Sequence, residues 1–258
     1  MDKSKLLIEL KNINKSYKSK FNYLLNRDLT WWQKVKRFFL NEKEKLISNL
    51  NFNIYENDRI ALIGNNGAGK TTLANIICGF RKATSGEIIH HYPYTKSPNE
   101  KIVIQFQSAS FPQNLFVFDV LNMARMTTET VDFENNDLYK LLEISKILNK
   151  KVRSLSGGEQ QRLILFTSLI TDPLLLILDE YSNNLDLKSK EELGDYLEYL
   201  FNHKSMAVLI ISHDAEQIYR FAKKLYLMKG GKIVEEINDI KTQFQTVDLL
   251  KDYIIKNI

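Results

Sequence analysis

The run Arg59-Ile60-Ala61-Leu62-Ile63 enters Gly64-Asn65-Asn66-Gly67-Ala68-Gly69-Lys70-Thr71, and an apolar helical pattern continues through Thr72 to Cys78. An aliphatic strand, a glycine loop and a helix in that order leave the chain few folds. The loop matches G-x-x-x-x-G-K-[ST], in which glycines let consecutive N–H groups turn inward at a helix N-terminus and cradle phosphate oxygens. Gly64, Asn65, Asn66, Gly67, Ala68, Gly69, Lys70, Thr71 and Thr72 are therefore candidate phosphate-binding residues. Lys70 is placed to reach β- and γ-phosphates, and Thr71 to put its hydroxyl on Mg²⁺.

A phosphate loop needs a second element to support the metal. Leu174-Leu175-Leu176-Ile177-Leu178 reads as a fully buried strand that ends in Asp179-Glu180, at the strand end where open α/β sheets bind ligands. Asp179 is placed to support Mg²⁺, and Glu180 to polarise an attacking water. Further strands are predicted at Leu6–Leu10, Phe52–Tyr55, Ile60–Ile63, Ile88–Ile89, Ile102–Phe106, Val208–Ile211 and Leu225–Met228. Helical patterns cover Thr71–Cys78, Glu159–Ile170, Lys188–Phe201 and Ala215–Phe221, and from about Phe116 to Leu148 the pattern is helical only. This alternation predicts an α/β fold with a mainly parallel sheet, an inserted α-helical subdomain over about 108–155, and a single domain spanning 1–258.

Composition narrows the class further. With 44% apolar and 26% charged residues the chain is that of a globular protein, and its one cysteine, Cys78, reads as a buried apolar residue in a reducing compartment. No apolar run approaches the ~18 residues of a membrane span, and Met1–Lys5 leads into a strand pattern without a signal-peptide hydrophobic region. The expectation is a cytosolic protein that reaches a membrane only through its surface or a partner. The net charge of +5 is concentrated between Lys18 and Lys45, where eight basic residues face three acidic ones. A local basic segment of this kind is not the basic body that nucleic acid requires.

Leu155-Ser156-Gly157-Gly158-Glu159-Gln160-Gln161-Arg162 resembles the signature of ABC-type ATPases. Ser156 and the N–H groups of Gly157 and Gly158 open a helix whose positive end suits a γ-phosphate. The resemblance, which covers Leu6 to about Glu236, implies a P-loop core with an N-terminal antiparallel β subdomain. It also implies ATP and Mg²⁺ as ligands, and a head-to-tail homodimer in which Ser156, Gly157, Gly158 and Glu159 of one subunit meet the ATP of the other. Tyr17 resembles the aromatic residue that stacks on adenine, with Tyr23 as the alternative. Gln107 resembles the glutamine that contacts Mg²⁺ and the water. Gln105 is its alternative, second because Phe106-Gln107-Ser108 followed by Phe111-Pro112 is closer to the family pattern. Asn183-Asn184-Leu185-Asp186 resembles the loop where subunits meet, and His213, 33 residues after Glu180, resembles the histidine on the γ-phosphate. The resemblance implies catalytic roles for Glu180, His213 and Gln107, and metal contacts for Thr71, Gln107 and Asp179. His90, His91 and His203 lack such context and read as surface residues.

Two features depart from the family pattern. Tyr181-Ser182 replaces the proline and threonine that usually follow the glutamate, and Tyr17 lies 47 residues before Gly64, so a segment has been inserted. That insert, 18–45, contains Thr30-Trp31-Trp32-Gln33-Lys34-Val35-Lys36-Arg37-Phe38-Phe39-Leu40. Its apolar residues 31, 32, 35, 38 and 39 share one helical face, with Lys34, Lys36 and Arg37 opposite. Tryptophan with Lys/Arg is an interfacial-helix composition, and the segment resembles inserts in the ATPases of polysaccharide exporters; the alternative is a helix folded onto its own sheet.

The function expected is the ATP-hydrolysing subunit of a transporter, peripheral on the cytoplasmic membrane face, dimerising on separate transmembrane permease subunits, with export favoured over import by the insert. A non-transport ABC ATPase acting on nucleic acid or ribosomes is the alternative. It is disfavoured because Gln107 and Leu155 are only 48 residues apart, too few for a long coiled coil, and because the chain has one cassette.

Overall fold

Three strands, β3 (Arg59–Ile63), β6 (Leu175–Asp179) and β7 (Ala207–Ile211), are buried along their whole length. Strands covered on both faces belong to the middle of a parallel sheet. The computed structural model describes residues 5–18, 43–94, 97–106, 111–127, 133, 135–182 and 185–258. Tyr23, the helix expected at Thr30–Leu40, Gln107, Asn183 and Asn184 lie outside the described residues.

The large sheet joins those three strands to β5 (Ile102–Phe106), β8 (Lys224–Lys229) and β9 (Lys232–Ile237) in the order β5-β6-β7-β3-β8-β9. All neighbours are parallel except β8 and β9. A second, antiparallel sheet of β1 (Leu6–Lys18), β2 (Lys43–Tyr55) and β4 (Ser85–His90) runs in the order β2-β1-β4. The mainly parallel sheet is the architecture expected from the residues, and the N-terminal antiparallel sheet is the one the family resemblance implies. Lys18 pairs with Lys43, so the inserted segment leaves and re-enters between paired strand ends.

Side-chain alternation along the central strands divides the core. Ile60, Leu62, Leu175, Ile177, Leu209 and Ile211 face α1 (Lys70–Ile77) and the antiparallel sheet. Leu176, Leu178, Val208 and Ile210 face the opposite way. They meet a helical layer of α2 (Val117–Thr127), α3 (Asp137–Leu141), α4 (Gly157–Leu169) and α5 (Leu187–His203). Ala61, Ile63, Leu225 and Leu227 pack on α6 (Ala215–Phe221), α7 (Ile240–Gln243) and α8 (Val247–Asn257). The period of two along each strand is what sends alternate residues to different clusters.

Helix starts follow their capping residues. Asp186 accepts a hydrogen bond from Ser189 N at 2.9 Å, Asp214 accepts from Glu216 N at 3.0 Å, and Thr246 accepts from Leu249 N at 3.3 Å, each relieving an orphan N–H of the first turn. Strand β9 and helices α7 and α8 were not predicted. The β8–β9 hairpin turns through Gly230 and Gly231 (φ +52° and +76°), a Gly-Gly turn signal present in the sequence. A Cβ at Gly231 would stand 2.1 Å from Leu46 O, so the hairpin can seat against β2 only with glycine there. His90 is a correction: it is half-buried, with its ring edge-on to Tyr92, because β4 lies against β1 rather than in solvent.

Phe166 is fully buried in the helical cluster, with Phe133 and Tyr139 ring centroids at 5.6 and 5.9 Å. Phe166→Ala removes the side chain that joins α4 to that layer. It is expected to destabilise the fold by about 3–5 kcal/mol, read as a lower denaturant midpoint at unchanged m-value.

Candidate active site

A cleft of about 190 Å³ opens where β3, β6 and β7 end. Its walls include Asn66, Gly67, Ala68, Gly69, Lys70, Thr71 and Thr72 from the glycine loop, together with Asp179, Glu180 and His213. Ten residues singled out from the sequence thus meet in one place. The loop geometry depends on Gly64: its φ is +152° and a Cβ would come within 2.1 Å of Met228 O. Gly64 and Asn65 act through their carbonyls, which accept hydrogen bonds from Lys70 Nζ, the latter at 3.2 Å. Lys70 is thereby folded over its own loop. Burial lowers its pKa, and the carboxylates of Glu180 and Asp179 oppose that shift.

Asp179 and Glu180 are adjacent, and in a continued strand they would point to opposite faces. Glu180 instead takes φ +50°, a conformation that costs a non-glycine residue strain and turns the chain out of the strand. Both carboxylates therefore reach the cleft. Glu180 N donates to Ile211 O at 2.9 Å, which fastens the turn to β7. His213 Nε2 lies 3.3 Å from Glu180 Oε1. Burial pushes the Asp179 carboxyl up, Glu180 adds to this, and the hydrogen bond from Thr71 and the charge of Lys70 pull the other way.

The donor set suits a hard cation. Among the described residues no group of three or more His, Cys, Asp or Glu could hold a metal ion. A cation here would rely on the Thr71 hydroxyl, the Asp179 carboxylate and the oxygens of a bound phosphate, as Mg²⁺ sites commonly do.

The second element expected to face phosphate lies elsewhere. Ser156 caps α4 in a capping box: its hydroxyl accepts from Glu159 N at 3.2 Å, while Glu159 accepts from Ser156 N at 2.9 Å. Burial works against ionisation of Glu159, but Lys150 at 2.7 Å and the Ser156 N–H hold its pKa down. Ser156 and Gly157 are exposed, and no residue from Ser156 to Glu159 lines the Lys70 cleft. The glycine loop and the Ser156–Glu159 helix start, both expected from the sequence to face phosphate, are thus not brought together within one chain.

Tyr17 does not line the cleft either. Its hydroxyl accepts a hydrogen bond from Arg81, and Lys15 Nζ lies 5.3 Å from its ring centroid. Gln105 is fully buried and donates to Gln161 Oε1, away from the cleft, whereas Gln107 lies outside the described residues. The Tyr181-Ser182 departure is absorbed by packing: Tyr181 is buried in the helical cluster, and Ser182 accepts a hydrogen bond from Gln217 on α6. Leu46 and Ile211 also line the cleft, and the sequence pattern does not mark them, because an aliphatic side chain at a site has no signature of its own.

Residues 47–183, just over half of the chain, match the family model described as ABC transporter. The glucose import ATP-binding protein GlcV of Saccharolobus solfataricus is 30% identical over 233 residues, covering 84% of this chain and 66% of that protein. The spermidine/putrescine import ATP-binding protein PotA of Borrelia garinii is 30% identical over 226 residues, covering 81% and 64%. The chain thus spans slightly less than two thirds of the length of these relatives. A dimeric bacterial ABC transporter cassette superposes with a TM-score of 0.68 at 22% identity over 90% of this chain and 98% of its own, a likeness of fold.

The raised Asp179 carboxyl makes a stability prediction. Because the folded pKa exceeds the unfolded one, ionisation costs stability in full above the folded pKa and costs nothing once both states are protonated, below the ordinary carboxylate range. Asp179→Asn should therefore raise the melting temperature of the nucleotide-free protein at pH 8, by about 2–4 °C per kcal/mol recovered in a chain of this size. The gain should shrink toward pH ~4. Melts across that range check it; a gain independent of pH would count against the buried carboxylate as its source.

Proposed function

This chain belongs to the ABC transporter family, and from that membership we propose that it binds ATP with Mg²⁺ and hydrolyses it to drive transport through separate transmembrane permease subunits. The observation that carries the reading is the meeting of Lys70, Asp179, Glu180 and His213 in one cleft beside the loop N–H groups. The loop and Lys70 bind the phosphates, and Tyr17 stacks on the adenine. Thr71 and Asp179, with Gln107, would hold Mg²⁺, which when bound would neutralise phosphate charge. Glu180 accepts the proton of the attacking water at its carboxylate, and His213, 3.3 Å away, orients that carboxylate and faces the γ-phosphate.

Two separated phosphate-directed elements support a head-to-tail homodimer in which Ser156, Gly157, Gly158 and Glu159 complete the partner's site. The chain is read as one cassette over 1–258, with a helical subdomain at about 108–155 and the basic insert at 18–45. It sits peripherally on the cytoplasmic membrane face through its permease partner, and nucleic acid has no part in the reading. Export was expected from the insert, most of which lies outside the described residues, and both named relatives are import proteins. Import is therefore the direction those names favour.

Glu180→Gln should keep ATP binding and ATP-driven dimer formation while lowering turnover by about 10²–10⁴. Unchanged turnover would remove Glu180 from the mechanism. The shared site is tested by mixing Lys70→Ala subunits with Ser156→Arg subunits. Each variant alone should be inactive, whereas a mixed dimer retains one undamaged composite site and should recover part of the activity. Mixed dimers that form without any recovery would show that the site is not shared in this way.

A further inference from the structure

Gln105 is a buried polar residue that the proposed mechanism leaves unused, 1% exposed. It sits on β5 beside Leu178, and the next residue, Phe106, pairs with Asp179. Its Nε2 donates to Oε1 of Gln161, itself 8% exposed, on the inner face of α4. The elements that carry them are otherwise apolar on this side: Val103 on β5, Leu178 on β6, and Leu163 and Leu165 on α4 all belong to or pack against the helical cluster. A buried amide pair in such surroundings is an expensive way to fill space. Gln105 Oε1 has no hydrogen-bond partner among the described residues, which adds to the cost. A directional bond differs from an apolar contact in one respect: it fixes where α4 lies along and around β5, whereas leucine against leucine can slide.

From Gln161 the helix runs back little more than one turn to Ser156, Gly157 and Gly158. We infer that the Gln105–Gln161 bond is a positioning device that sets the phosphate-directed N-terminus of α4 relative to the core strand ending at Asp179. This deepens the proposed function and rests on it, since the two half-sites must be held in register to meet a partner's nucleotide. Helix α4 is also tied on its outer side, where Arg162 pairs with Glu143 at 3.0 Å, so loss of the inner bond releases its register without releasing the helix.

The test separates position from stability. Gln105→Met alone, or Gln161→Met alone, leaves one buried amide unpaired and should lower the unfolding midpoint. The double Gln105→Met/Gln161→Met variant removes both polar groups at similar volume and should recover wild-type stability. Spin labels are placed on cysteines introduced at exposed Ser154 and Glu87; native Cys78 is buried and its thiol is pushed up to about 12, so it stays unlabelled. In the stable double variant the label-to-label distance distribution should broaden or shift. Its kcat for ATP should fall roughly ten- to a hundredfold, with KM changed little, as expected when a reacting group is misplaced. A wild-type distance distribution in the folded double variant overturns the inference, whatever the turnover. A wild-type protein that hydrolyses no ATP would instead refute the functional reading, and the distance measurement would still decide the role of the pair.

Discussion

Burial of the central strands on both faces is the constraint from which the rest follows. Between their ends β3, β6 and β7 carry no polar side chain, so polar groups can emerge only where a strand stops. At one end Arg59 is buried with its guanidinium on the carbonyls of Met206 and Phe201. At the other, Asp179, Glu180 and the glycine loop come out together into the cleft. Apolar transfer of about 25 cal/mol per Å² fixes the sheet, and the sheet fixes the chemistry at its edge.

That edge is held under electrostatic tension. A buried ammonium, a buried carboxylate and a second carboxylate share a small cleft, and burial disfavours the charged form of both Lys70 and Asp179. Lys70 turns back on the carbonyls of Gly64 and Asn65, and Thr71 bonds to Asp179. These contacts satisfy groups that a bound phosphate and cation would otherwise engage. The left-handed turn at Glu180 is a further cost localised at the site. Strain and unfavourable burial in one small region are what pre-organised chemistry requires.

Much of this was legible from residues alone. The glycine loop, the Leu174–Asp179 run and the Ser156 cap each announce themselves because short-range physics defines them: glycine geometry, an unbroken aliphatic strand, a capping box. The helical patterns at Glu159–Ile170 and Ala215–Phe221 agree with α4 and α6 within two residues. Strand β9 escaped because it is an edge strand with mostly exposed residues, and α8 because the exposed apolar residues Leu249 and Ile255 blur its buried face of Leu250 and Ile254.

The sequence by itself determined the local elements, the glycine loop and the identities of the charged groups, since each depends on neighbours within a few positions of the chain. Only the tertiary structure decided that Asp179 and Glu180 face the same cleft, because that requires the positive φ at Glu180 and its bond to Ile211 on another strand. It alone turned Gln105 from a candidate ligand into a partner of Gln161, 56 residues away. It alone separated Ser156 from Lys70. Burial and pairing of distant residues arise from how layers pack, and packing is a property of the whole chain rather than of any window within it.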